Sequence, residues 1–569
     1  MIRCLSGLLL VSVILPRASA GTIEFEDVSA SVGLNFQHEN GRQGDWQYPE
    51  ILGGGCGLVD VNQDGWMDLI LIQSGALPRE REDRNPPDRD ASGGSRLLIH
   101  QGTRDNGLPR FVDQTEDSGL RALGYGMGIA SGDVTGNGHP DLYISNYGPN
   151  QLWRNNGDGS FTDITSESGT GDAGFGVSAS ITDLNGDGLL DLFLVNYVEH
   201  DPQNNPSCLA SNTRRDYCGP AVFTAQKDQL FINQGEGRFE NVSNAALIDN
   251  MAKPGLGVAI LDMNGDQRMD VFIANDGDAN QFWENLGDGR FREQGLVSGT
   301  AVNRHGQMEA GMGIAVADYN RDGLFDLFLT HLDGESNTLY QNLGDGLFVD
   351  RTAGAGLAAP SLPFTGFGTV FADFDHDGLQ DLFIANGAVR VEEAQRARGA
   401  DYPLQQTNLL FRNRDGRRFD NVSGSAGPAF ELPAVGRGAA LGDLDNDGRQ
   451  DLLLCDNHGP TRLLMNRSVS DHRWLGLRLS HGEPARDAIG AVAILMDEEG
   501  QAQQQRRVAT DGSYLNSQDP RVVFGLGDHE AEQLAIQVRW PDGQAEVFDA
   551  LPHSTYSTLV QGEGEPWPP

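Results

Sequence analysis

Apolar and polar positions follow one pattern from about residue 25 to residue 467, and the pattern recurs seven times. Each unit runs as a Gly-rich apolar strand, an acidic corner, a strongly apolar strand, a third strand ending in a turn, and a fourth strand beginning with Phe. The second unit shows it whole in GYGMGIASGDV, TGNGHPD, LYISNY, NQLWRNNGDGS and FTDIT. In the NGDG, QGEG and LGDG turns, glycine supplies the positive φ of a tight hairpin connection. Successive corners start on average about 64 residues apart, longer than the roughly 40 to 50 of familiar propeller repeats, partly because several units carry insertions. Four antiparallel strands per unit, repeated seven times, predict an all-β chain folded as a seven-bladed β-propeller. Fourth strands are expected at Phe111, Phe161, Phe239, Phe291, Phe348 and Phe419, and none follows the seventh corner. The missing strand is expected in FEDVSASVGL from Phe25, completing the last blade and removing an exposed edge.

The corner from Asp183, DLNGDGLLD, has the skeleton Asp-x-Asn/Asp-x-Asp-Gly-x-x-Asp. Oxygens at positions 1, 3 and 5, a carbonyl near 7 and a carboxylate at 9 can wrap one hard cation, with Gly at 6 for the sharp turn. Calcium suits such a shell, since it accepts about six to eight oxygens in flexible geometry. An EF-hand would need Glu at position 12 between helices, whereas these corners end in Asp and run into strands such as DLFLVN. Turn preference alone explains one such corner, but not seven in one frame. The expected ligands are Asp60, Asn62, Asp64 and Asp68 in loop 1; Asp133, Thr135, Asn137 and Asp141 in loop 2; and Asp183, Asn185, Asp187 and Asp191 in loop 3. Loop 4 offers Asp262, Asn264, Asp266 and Asp270, loop 5 Asp318, Asn320, Asp322 and Asp326, loop 6 Asp373, Asp375, Asp377 and Asp381, and loop 7 Asp443, Asp445, Asp447 and Asp451. Loops 6 and 7, with four carboxylates each, are expected to bind most tightly. Loop 4 has Gln267 in place of Gly and is expected to be weaker; loop 2, with only two acids, ranks last of the seven for occupancy.

Asp and Glu number 81 against 41 Lys and Arg, a net charge of −40 that argues against a nucleic-acid partner. The seven loops hold 22 of those carboxylates, so the fold is expected to depend on its metal. Residues 1–20, MIRCLSGLLLVSVILPRASA, read as a secretory signal: Arg3, a short apolar run from Leu8 to Leu15, and an Ala18-Ser19-Ala20 cleavage site before Gly21. That run is too short to span a bilayer and no later segment is a candidate, which predicts an exported protein, periplasmic or extracellular. In an oxidising compartment Cys208 and Cys218, bracketing a polar insertion, are expected to form a disulfide. Cys56 and Cys455, in apolar strands, are expected as buried free thiols.

Beyond Asn466 the acidic repeat stops. WLGLRLSHG from Trp474, ARDAIGAVAIL from Ala485, GSYLNSQDPRVVFGLG from Gly512 and VRWPDGQ from Val538 predict a small β-sandwich over 468–562, with 563–569 as a tail. The GxG strand with its acidic loop resembles the FG-GAP or VCBS-type repeat, also found in integrin α-chain propellers, over residues 21–467. The later segments are similar to the ASPIC/UnbV domain. The whole chain therefore resembles bacterial members of the cartilage acidic protein family, which implies fold, export and calcium better than an activity. Ala485 stands where that pattern has Asn, and no cysteine-rich EGF module follows, so functions of that module are not carried over.

The sequence has no GxSxG, HExxH, Walker loop or CxxC pair, and His38, His305 and His458 are expected in surface or loop packing. Insertions at about Ala76 to Ser95, Glu199 to Lys227 and Gly387 to Gln406 join second to third strands. They therefore crowd the rim opposite the acidic loops, beside Trp46 and Tyr48, where a protein or glycan ligand would bind. The expected function is a binding or adhesion scaffold with structural calcium. The alternatives are an envelope carbohydrate lyase or hydrolase at the channel mouth, favoured by perturbed acids beside His and Tyr away from the loops, and a structural matrix component.

Overall fold

The computed structural model describes residues 21–77, 94–246, 248, 251–287, 289–527 and 533–567; residues 1–20 and most of the first insertion lie outside the described residues. Seven four-stranded antiparallel sheets form the blades of a propeller. In blade 2 the strands are Gly126–Gly132, Asp141–Asn146, Gln151–Asn155 and Phe161–Asp163. Its first two strands are buried throughout, as expected for sheets covered on both faces by neighbouring blades. First strands of successive blades touch in turn, and the circle closes where Gly436–Gly442 of blade 7 meets Cys56–Val59 of blade 1.

The N-terminal strand Phe25–Asp27 pairs antiparallel with Arg462–Asn466, so the last blade is built from both ends of the propeller sequence. At that seam Val28, Val32 and Leu34 pack with Leu58, Leu453 and Leu463. Cys56 and Cys455 are free, buried and adjacent there. A set of latches links every blade to the one before. Asn155, Asn233, Asn285, Asn342, Asn413 and Asn466, at the ends of third strands, donate Nδ2 to the backbone carbonyls of Val61, Val134, Leu184, Met263, Tyr319 and Phe374 at 2.8–3.2 Å. In blade 1 the role falls to His100, whose Nε2 donates to Leu444 O at 2.9 Å and closes the circle.

The loop joining strands two and three also repeats. Asn150, Asn280, Asn337 and Asn408 each accept the backbone N–H ending the second strand, at 2.7–3.1 Å, and in blade 3 Asp228 does so at 2.9 Å. Burial pushes the Asp228 carboxyl up to about 8. A folded-state value above the unfolded one means the folded chain holds the proton more tightly, so this group's contribution is most favourable below pH 4 and fades as pH rises toward 8. Asp228→Asn, the residue other blades carry, is expected to raise stability at pH 8 by about 1–3 kcal/mol and to have no such effect near pH 4. Melting curves at the two pH values check this; equal shifts at both would contradict it.

The C-terminal sandwich consists of two sheets. One contains Arg486–Asp487, Trp474–His481 and Val522–Gly525, with Tyr556–Val560 parallel to Trp474–His481; the other contains Ala502–Arg507, Val492–Met496, Leu534–Arg539, Ala545–Leu551 and Glu565–Pro566. The last pairing corrects the reading of 563–569 as a tail: Glu565 lies beside Val547, and Trp567 N–H donates to Ala545 O, so the sheet continues to its edge there.

Residues 510–518 of this sandwich fill the propeller's central channel. Ser517 bridges the first strand of blade 1 at Gly57, and Leu515 O accepts Ile129 N–H of blade 2 at 3.2 Å. Asp511 Oδ2 accepts from Ser180 Oγ of blade 3 (3.0 Å) and Ile260 N–H of blade 4 (2.8 Å). Ser513 bridges Ile314 of blade 5, and its hydroxyl accepts Thr369 N–H of blade 6 and donates to Ala439 O of blade 7. One segment thereby takes up inner-strand backbone groups of blades 1, 2, 4, 5, 6 and 7 and a hydroxyl of blade 3. At its tip Tyr514 is fully buried among Tyr48, Tyr125, Tyr147, Phe175, Tyr197 and Phe367.

Candidate metal loops

All seven acidic loops follow one backbone path with two left-handed residues. Position 6 is Gly in six loops and Gln267 in loop 4, at φ 66°. Position 4 is left-handed as well, and in four loops it is not Gly: Gln63, Arg321, His376 and Asn446 hold φ of 55–58°. The position 1 carboxylate accepts the N–H groups that this path turns inward. Asp60 takes Asp64 and Gly65 at 3.0 Å, and Asp262 still takes Gln267 N–H at 2.8 Å, so loop 4 keeps the common geometry. Such strain is affordable where the surroundings hold it in place.

The position 9 aspartates, Asp68, Asp141, Asp191, Asp270, Asp326, Asp381 and Asp451, are at most 1% exposed. Each accepts a third-strand N–H at 2.7–2.9 Å, from His100, Asn155, Asn233, Asn285, Asn342, Asn413 and Asn466. In six loops the second oxygen accepts the N–H of position 2; in loop 5 Asp326 Oδ2 has no partner. These carboxylates therefore pin the hairpin to the third strand.

Loops 6 and 7 bring three carboxylates together: in Asp373, Asp375 and Asp377, and in Asp443, Asp445 and Asp447, one oxygen of each lies within 4.8 Å of the others. Buried Asp373 Oδ1 and Asp445 Oδ1 have no hydrogen-bond partner, a donor set that suits an oxygen-seeking cation. In loops 1, 3, 4 and 5 the position 3 amides of Asn62, Asn185, Asn264 and Asn320 instead bond Asp64, Asp187, Asp266 and Asp322 at 2.7–3.1 Å. Loop 2 satisfies itself: Thr135 donates its hydroxyl to Asp141, and Asn137 turns its amide to Asn155 O.

Burial and neighbouring carboxylates raise the position 9 acids, to about 8 for Asp68 and Asp270 and about 9 for Asp326; a dication removes this penalty. Arginines offset part of it. Arg412 pairs with Asp375 (2.6 Å) and Asp377 (2.9 Å), Arg467 lies 3.6 Å from Asp445, Arg449 pairs with Asp447, and Arg268 with Asp266. Counting acids alone thus overstates the charge in loops 6 and 7. The sandwich adds contacts from above: Arg478 lies 3.5 Å from Asp60, Tyr556 donates to Asp443 at 2.8 Å, and Arg486 donates to Gly188 O at 2.6 Å.

On the opposite rim, the second and third insertions meet the N-terminal segment. The Cys208–Cys218 disulfide, with S–S 2.07 Å, staples a short ribbon there. Arg214 of this ribbon pairs with Glu393, Val391 N–H bonds Asp216, and Trp46 packs on Tyr217 at 4.9 Å. Under them Tyr48 and Tyr197 share a hydrogen bond, and Tyr197 donates to Asp276, whose carboxyl burial pushes up to about 6. His38 is packed within its loop, 1% exposed and bonded to Ser74 at 2.9 Å.

The family described as ASPIC and UnbV matches residues 481–566, and that described as FG-GAP-like repeat matches 133–194, 262–329 and 318–384. Cartilage acidic protein 1 of Homo sapiens is 29% identical over 301 residues, 51% of this chain and 41% of that protein; its Xenopus tropicalis counterpart is 30% identical over 301 residues, 51% and 42%. The match thus spans about two fifths of these relatives' length. Among solved structures, an Agrocybe aegerita lectin that recognises non-reducing terminal N-acetylglucosamine has TM-score 0.37 at 14% identity, covering 65% of this chain and 79% of the lectin. YCF48 from Cyanidioschyzon merolae has TM-score 0.35 at 10% identity, covering 67% and 92%. The chain joins FG-GAP-like propeller repeats to an ASPIC and UnbV domain and is homologous to cartilage acidic protein 1.

Proposed function

We propose that this chain is an exported scaffold that binds a protein or glycan on its loop-covered rim, with calcium holding the opposite face in shape. The observation that carries the calcium is the pair of three-carboxylate clusters in loops 6 and 7, with the unpartnered oxygens of Asp373 and Asp445. Asp373, Asp375 and Asp377, and Asp443, Asp445 and Asp447, would hold the ions. Bound calcium supplies positive charge that lets these acids stay ionised beneath the sandwich. Export is supported by the disulfide. A binding role is supported by the filled channel, which leaves recognition to the rim loops.

The test is a protein and glycan interaction screen on the purified chain, run with calcium and with chelator. Capture in calcium that is lost on chelation, together with a lowered melting temperature, is expected; capture and melting both indifferent to chelation would overturn the reading. One observation favours the envelope hydrolase or lyase as a second reading: Asp276 with Tyr197 and Tyr48, a perturbed acid beside tyrosines away from the loops. Cleavage of a glycan from the same screen, abolished by Asp276→Asn, would put that reading first.

A further inference from the structure

The sandwich encloses loop 7 at positions 1, 4 and 6. At position 1 the Asp443 carboxylate accepts two hydrogen bonds on Oδ2, from Gly448 N–H of its own turn at 2.7 Å and from the Tyr556 hydroxyl of the sandwich at 2.8 Å. Its Oδ1 accepts Asp447 N–H at the longer 3.2 Å. Two donors on one oxygen set the orientation of the carboxylate and leave the other oxygen as the one an ion can take. At position 4 Asn446 holds its left-handed φ of 55° while its Oδ1 accepts from Arg521 at 2.7 Å, and the same guanidinium donates to Asp443 O at 2.8 Å. At position 6 the Trp474 indole lies over Gly448, where a Cβ would run into the ring. In loop 6, by contrast, Asp373 Oδ2 takes Gly378 N–H alone at 2.8 Å, and among the described residues no sandwich side chain bonds that carboxylate.

These three side chains brace one another. Tyr556 stands edge-on to Trp474 with ring centroids 5.4 Å apart, and the Arg521 guanidinium lies over the Tyr556 ring at 4.6 Å. Arg521 is paired with Asp519, through Nε at 3.0 Å and Nη2 at 2.7 Å, and so reaches loop 7 as a fixed set of donors without adding net charge. Tyr556 leads the strand Tyr556–Val560, parallel to Trp474–His481, and Asp519 and Arg521 stand just after the channel segment. The arrangement is that of outer-shell support, in which a neutral O–H orients a carboxylate without competing for its ion. Given the calcium proposed above, we infer that Tyr556, with Arg521 and Trp474 around it, is a positioning residue for the cation of loop 7, so that this site is built between propeller and sandwich and is incomplete without the sandwich. By reciprocity, an ion that binds better when Tyr556 is seated also holds the sandwich, and with it the channel segment, in place.

The test is a calcium titration of the full chain by calorimetry, with Asp447→Asn marking which of the resolved sites is loop 7. Tyr556→Phe, which keeps the ring and removes the hydroxyl, is expected to weaken that site about tenfold and to leave loop 6 at its wild-type affinity. Calcium is also expected to slow amide exchange across Tyr556–Val560 in the wild type and not in Asp447→Asn. Melting in excess chelator verifies that both variants fold. Wild-type affinity at loop 7 in Tyr556→Phe, an equal loss at both loops, or exchange across that strand that ignores calcium would overturn the positioning role while leaving calcium itself in place. A wild-type chain that takes up no calcium would instead overturn the calcium reading, and the positioning role with it.

Discussion

Exhaustive chelation is expected to lower the melting temperature by on the order of 10 °C. A site held at 100 times its dissociation constant contributes about 2.7 kcal/mol, and loops 6 and 7 alone give about 5 kcal/mol on that footing. The loss should not scale with the number of acids. Arg412 already neutralises part of loop 6, and Arg449 and Arg467 part of loop 7, so these corners keep some of their shape without an ion. Within the loops, Asp377→Ala is expected to cost more than Asn137→Ala, since Asn137 spends its amide on Asn155 O. Calorimetry with and without calcium measures both effects. An unshifted midpoint, or equal losses from the two substitutions, would remove the basis for structural calcium.

The second large effect concerns the channel. Tyr514→Ala is expected to destabilise the chain by about 3–5 kcal/mol, the usual cost of emptying a buried aromatic site. Tyr514 is completely buried, packs on Phe367 at 4.9 Å and donates to Leu52 O at 3.2 Å. The propeller and the sandwich should then melt together and become open to proteolysis around residues 505–520. If the sandwich merely rests on the propeller, the substitution would behave as a surface change, within about 0.5 kcal/mol.

Much of the blade architecture was legible because its period is written in strand-forming residues: DLFLVN, DVFIAN and DLFIAN announce buried second strands wherever they fall. The left-handed turn at position 6 was legible through Gly, and Gln267 shows that loop 4 adopts the same turn without it. Position 4 was not legible, since Gln63, Arg321, His376 and Asn446 give no sign of positive φ. The Asn latches were missed although a signal existed: Asn155, Asn233, Asn285 and Asn342 each stand just before a Gly-containing turn. His100 could not be placed in that series, because it shares only the position and not the residue type. The channel segment was opaque for a different reason. GSYLNSQD reads as an ordinary loop, and only the ring of inner strands around it reveals what its hydroxyls and amides bond to.

The axle through the wheel also bears on biogenesis. Its residues, 510–518, follow all seven blades in the chain, while the opening strand Phe25–Asp27 must wait for Arg462–Asn466. A nascent chain therefore closes the ring only after Asn466 and seats the axle only after residue 518, and a message truncated before codon 510 should yield a propeller without its axle, less stable than the full chain.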